Sequence, residues 1–71
     1  MDKKTCGAFI GKHVGIERVV VINGNDNFSE RIFFSKGLLL SVTDTDVLIE
    51  FNSELQAFAL DSIKSIREVT L

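Results

Sequence analysis

The stretch Gly37 to Phe51, GLLLSVTDTDVLIEF, restricts what this chain can fold into more than any other. Two apolar runs flank the short polar hinge Thr43-Asp44-Thr45-Asp46, the signature of a β-hairpin at the centre of a small all-β domain. Val47, Ile49 and Phe51 alternate with Leu48 and Glu50, so a period of two places the first three on one sheet face. Valine and isoleucine are stiff at χ1 and suit a pleated surface. Leu38, Leu39 and Leu40 run without alternation. Either Leu39 faces the core and its neighbours point away, or the reverse. A sheet that is apolar on both faces needs a cover, which a helix or another subunit can supply.

The rest of the chain reads as further short strands. Arg18 to Ile22, RVVVI, is a strand by its valines. It stops at Asn23-Gly24-Asn25-Asp26-Asn27, a run that tolerates positive φ and holds the hairpin signal Asn-Gly. Phe28 to Phe34 is the returning strand, with Ser35-Lys36-Gly37 as a turn. Asn52-Ser53-Glu54 is another turn, and Gln56 to Leu60 a short strand. Asp61-Ser62-Ile63 suits one turn of 3₁₀ helix with Asp61 as its cap. Ile66 to Leu71 fits a last strand, since Ile63, Ile66, Val69 and Thr70 are β-branched. A C-terminal helix from Asp61 is the rival reading. Ala8 to Val14 is either a first strand or a helical turn. Period two gathers Val19, Val21, Ile32, Leu39, Val47, Ile49, Phe51, Phe58 and Ile63 into one core, with most of the six phenylalanines inside.

These strands give an all-β fold, a small strongly bent barrel of five to six strands. A flexible N-terminal arm covers residues 1–8 and one domain covers residues 9–71. In 71 residues, 45% of them apolar and with a single cysteine, no disulfide can staple the core. Oligomerisation is the natural remedy for such a chain. No stretch reads as a signal peptide or approaches the ~20 apolar residues of a membrane span. A lone cysteine without an export signal implies a cytoplasmic protein. The net charge of −2 argues against duplex DNA, whose binders carry a basic excess.

Residues 37–66 resemble the Sm-like family, above all its bacterial Hfq-type branch. The shared rhythm is Gly37-Leu38-Leu39-Leu40-Ser41-Val42-Thr43-Asp44, then Val47 to Asn52, then Gln56 to Ile66 closing on Ile63-Lys64-Ser65-Ile66. A generic SH3-like barrel has the same rhythm. The family's polar residues differ here. Asp46 and Val47 stand where a base-contacting asparagine is expected, and Ala59-Leu60-Asp61 replaces the bacterial Tyr-Lys-His. The resemblance implies a small barrel, a ring-like homo-oligomer and single-stranded RNA as ligand. RNA contacts would then fall on Lys12, His13, Arg31, Phe33, Lys36 and Lys64, with His13 and Phe33 or Phe34 stacking on bases and the cations meeting phosphates.

Other chemistry finds little purchase. One His and one Cys, both in the glycine-rich N-terminal segment, do not supply a nucleophile, base and orienter. Cys6 and His13 are two soft ligands where a structural zinc needs four. Asp44, Asp46, Glu50 and Glu54 are oxygen ligands that suit a hard cation, but acidic turn residues more often solvate a hairpin end. The sequence therefore implies no enzyme, no metal and no cofactor. It points to an oligomeric binding module, with two rivals: a structural or protein-interaction subunit, such as an accessory protein of a phage or mobile element, and a ring that binds a small ligand.

Overall fold

The computed structural model describes residues 1–24 and 27–70, and the backbone alone for Asn27 and Phe28. Asn25 and Asp26 of the expected first turn, the Phe28 side chain and Leu71 lie outside the described residues. A short helix α1 (Lys3–Gly7) precedes five strands: β1 (His13–Gly24), β2 (Asn27–Val42), β3 (Asp46–Phe51), β4 (Glu54–Ala59) and β5 (Ile63–Glu68). They form one antiparallel sheet in the order β4-β3-β2-β1-β5. The all-β expectation holds. The barrel does not, because the edge strands β4 and β5 do not pair and the sheet stays open.

The central hairpin forms as its sequence requires. Thr43 folds back on itself: its Oγ1 accepts from the amides of Thr45 (3.3 Å) and Asp46 (3.0 Å). Its own amide donates to the Asp46 carbonyl at 2.8 Å. Short hydroxylated side chains stabilise turns in this way. Between β3 and β4 the two loop residues Asn52 (φ 52°) and Ser53 (φ 65°) are both left-handed, the geometry of a two-residue hairpin whose twist matches the strands. The 3₁₀ turn spans Leu60–Ser62. Ala59 rather than Asp61 is its cap, and Ser62 Oγ donates to the Ala59 carbonyl at 2.7 Å. The C-terminal segment is strand β5, not helix.

Ser35-Lys36-Gly37 is not a turn. β2 runs unbroken for 16 residues through it. Gly37 serves another purpose there. A Cβ at this position would stand 2.5 Å from the Glu50 carbonyl oxygen, so only glycine lets β3 approach so closely. A register shift between Leu39 and Ser41 bends the same strand, and a second lies between Glu17 and Arg18 against β5.

The core consists of Cys6, Val14, Ile16, Leu39, Val47, Ile49, Leu60 and Ile63, with Met1, Phe9, Val42, Phe58 and Ile66 packed at its margin. Leu39 is the inward leucine of its run; Leu40 is exposed. Residues 1–8, expected as an arm, carry α1. Asp2 caps it by accepting from the Thr5 amide at 2.7 Å, and Cys6 enters the core. α1 is tied to the hinge by Lys3 and Asp44, 3.1 Å apart, and to the 3₁₀ turn by the Met1 ammonium, which donates to the Leu60 carbonyl.

Four expected core residues are outside it. Val19 is only half-buried and does not join the core cluster, Val21 is 55% exposed, Ile32 58% and Phe51 41%. Val21 and Ile32 belong to the outer half of the β1–β2 hairpin. β5 covers β1 only from Val14 to Arg18, and β3 covers β2 only from Leu38 to Val42. Beyond those limits the hairpin projects as a two-stranded ribbon, which gives the molecule its 42 Å long axis. Phe33, Phe34 and Phe51 are exposed too, so three of the five phenylalanines whose side chains are described lie outside rather than most of them inside. Among the described residues no helix is long and apolar enough to cross a membrane.

Candidate functional site

Register on the sheet face opposite the core decides which polar residues meet. His13 pairs with Leu38, and Leu38 pairs with Glu50, so the three share one face across β1, β2 and β3. Val69 joins from the chain after β5, its amide donating to the His13 carbonyl at 2.9 Å. Lys36 lies one step along the same face of β2, opposite Gly15. Together with Phe51 and Asn52 at the end of β3, these residues line an open hollow of about 290 Å³. A second hollow of about 380 Å³ lies beside it, lined by Phe34, Ser35, Lys36, Phe51 and Gln56. Lys36 and Phe51 belong to both.

Gly15 explains why Phe34 lies where it does. A Cβ on Gly15 would meet the Phe34 ring at 2.7 Å and a Val69 methyl at 3.2 Å. The ring occupies the space a side chain would fill, and the Arg67 guanidinium sits 5.7 Å from its centroid.

Of the six residues read from sequence, the fold brings His13 and Lys36 together and separates the rest. Lys12 faces Glu68, 3.8 Å away. Arg31 pairs with Val20 on the projecting ribbon. Lys64 is exposed on the edge strand β5, beyond the hollow. Phe33 lies on the core-side face opposite Arg18, with the Arg18 guanidinium 5.8 Å from its centroid. These cations do not form one basic groove. Of the acidic group, Asp44 pairs with Lys3. Among the described residues no three His, Cys, Asp or Glu side chains converge as metal ligands would.

Arg18 is the residue that sequence reasoning passed over. Val14, Ile16 and Arg18 alternate on β1, so the strand period puts a guanidinium in line with two core residues. It stacks 3.9 Å from the centroid of Phe58, which comes from β4, three strands away in the sheet order. The stack shows how strongly the sheet curls without closing. Nε of Arg18 is buried and finds no acceptor among the described residues. The signal was present in the sequence as a lone charge in phase with apolar neighbours.

Cys6 is fully buried, and burial pushes its thiol up from the ordinary range, away from the nucleophilic thiolate. No protein-family model matches this chain, and no curated protein or solved structure does either.

Proposed function

We propose that this protein is a non-enzymatic binding module that works as a homo-oligomer, with copies joined head to tail through the edges of their sheets. The observation that carries this reading is the open sheet: β4 and β5 each leave one side without a strand partner. An unpaired edge presents a row of amides and carbonyls ready to accept another strand. The two edges differ in charge. β4 has Glu54 as its single charged residue, whereas β5 carries Lys64 and Arg67 beside Glu68. A contact between unlike edges is heterologous, and repeated by rotation it closes a ring. Leu55 on β4, 61% exposed, gives that edge an apolar anchor.

Support for the Sm-like reading of residues 37–66 comes from Gly37, which lies on β2 where a side chain would collide with the β3 backbone at Glu50. Support for a non-enzymatic role comes from Cys6, which is enclosed in the core, whereas His13 lines the hollow. The test is sedimentation velocity on the native chain and on Leu55→Lys. Leu55 pairs with Glu50, so a lysine there keeps the β3–β4 ladder and adds a cross-strand charge pair, while a lysine on an edge discourages strand addition. A native chain that sediments as an oligomer and a variant that dissociates support the reading. A native chain that sediments as a monomer refutes it.

Single-stranded RNA is the second reading, favoured by His13 and Lys36 lining one hollow. Phosphate contacts release counterions, so log affinity falls against log salt with a slope of about 0.7 per contact on single strands. A ring multiplies weak contacts by avidity. Fluorescence anisotropy with A-rich and U-rich oligonucleotides tests it. Binding at low salt that is lost on Lys36→Glu with Lys64→Glu supports RNA. No binding near ~50 mM salt, where phosphate contacts are strong, leaves the protein-interaction reading.

A further inference from the structure

The hollow beside His13 holds two opposite charges that do not satisfy one another. Lys36 lies two residues from Leu38, and Leu38 pairs with Glu50. Lys36 and Glu50 are therefore diagonal neighbours on one face, with Cβ atoms roughly 7–8 Å apart. The ion pairs among the described residues are Lys3 with Asp44 and Lys12 with Glu68, so Lys36 and Glu50 face the hollow without pairing. Beside them the lining has an apolar part, Leu38, Phe51 and Val69, with Gly37 and the polar His13 and Asn52 completing it.

Each component excludes a class of ligand. A phosphate or other plain anion would meet Lys36 but would be repelled by the Glu50 carboxylate, which only accepts hydrogen bonds. A plain cation meets the reverse conflict. A purely apolar molecule leaves both charges to water and gains only the contact with Leu38, Phe51 and Val69. A molecule that carries both charges close together, with an apolar group attached, satisfies all three. The volume of about 290 Å³ is at the small end for ligand sites and fits a compact molecule.

We propose that this hollow binds a free α-amino acid with an apolar side chain. Lys36 takes the carboxylate, Glu50 takes the ammonium, and Leu38, Phe51 and Val69 take the side chain. All of these residues come from one copy, so binding does not require assembly.

The test is isothermal titration calorimetry of the full chain with L-leucine, L-phenylalanine, N-acetyl-L-leucine, L-leucinamide, and adenosine and uridine monophosphates. Free leucine or phenylalanine is expected to bind. Acetylation, which removes the ammonium, and amidation, which removes the carboxylate, are each expected to weaken binding at least tenfold. Lys36→Gln is expected to abolish the preference for leucine over leucinamide, and Glu50→Gln the preference for leucine over its acetyl form. The ligand series on the native chain stands even where a variant folds poorly. Absence of binding by both free leucine and free phenylalanine at millimolar concentration overturns the proposal. So does equal binding of the acetyl or amide forms, and so does a nucleotide that binds more tightly than leucine.

Discussion

The two ends of the β1–β2 hairpin are built from the same kinds of residue and end in opposite environments. Near its base, Val14 and Ile16 on β1 and Leu39 on β2 are fully buried. Toward its tip, Val21, Ile22, Ile32, Phe33 and Phe34 are all exposed. The residue runs are equally apolar in both places, Leu38 to Leu40 at the base and Val19 to Ile22 with Ile32 to Phe34 toward the tip. What differs is coverage. At the base, β5 and β3 extend the sheet on either side, and α1 and the 3₁₀ turn contribute Cys6 and Leu60 to the core. At the tip neither neighbour continues, and a two-stranded ribbon alone is marginally stable in water. Apolar pattern specifies a face; only neighbouring elements make that face an interior.

The largest test of this contrast compares two isoleucines. Ile49→Ala in the core is expected to cost about 2–5 kcal/mol as a cavity substitution. Ile32→Ala on the ribbon is expected to cost less than about 0.5 kcal/mol on the single chain, as surface changes do. Chemical denaturation measures both, and equal losses would erase the distinction. An Ile32→Ala loss that grows with protein concentration would place a subunit contact on the ribbon.

Two glycines give the next contrast. Gly37→Ala forces a methyl against the Glu50 backbone and is expected to cost about 1–3 kcal/mol by overpacking. Gly24→Ala, with none of the described residues within 4 Å of its added carbon, is expected to be neutral or up to about 1 kcal/mol stabilising. Thermal unfolding distinguishes the two.

Cys6 reports on the compact end without a mutation. Its buried thiol, held in the protonated form, is expected to react with a thiol reagent far more slowly in native protein than in denaturant. Equal rates would show that α1 does not cover the core.

The smallest expected effect is at the helix cap. The Thr5 hydrogen bonds hold the Asp2 carboxyl below its usual range. A depressed carboxyl contributes stability above its unfolded pKa and loses it as pH falls through the folded value. The difference in stability between native protein and Asp2→Ala is therefore expected near neutrality and to vanish at strongly acidic pH. A difference independent of pH would mean that the charged cap contributes nothing.

Much of the compact end was legible in the sequence, because its cues are local. The hinge at Thr43, the Asn52-Ser53 turn, the 3₁₀ turn and the inward set Leu39, Val47, Ile49 and Ile63 follow from turn chemistry and period two. The ribbon was misread because apolar residues at Val19, Val21 and Ile32 say nothing about where β5 begins or β3 ends. Gly37 was misread because Ser-Lys-Gly has turn composition, whereas the need for glycine arises from a strand that follows in sequence. The open sheet was not legible either: closure depends on whether β4 reaches β5, and no local pattern encodes that. Of the candidate site, His13 and Lys36 were found as isolated polar residues. Their meeting with Glu50 required the register, which sets Leu38 between His13 and Glu50.

In the proposed assembly, other copies cover the open sheet edges at β4 and β5. Multi-angle light scattering across a micromolar concentration series tests that most directly. The expected result is a mass that is a whole multiple of the 7.9 kDa chain and holds as the protein is diluted through that range. A mass of 7.9 kDa at every concentration would contradict it.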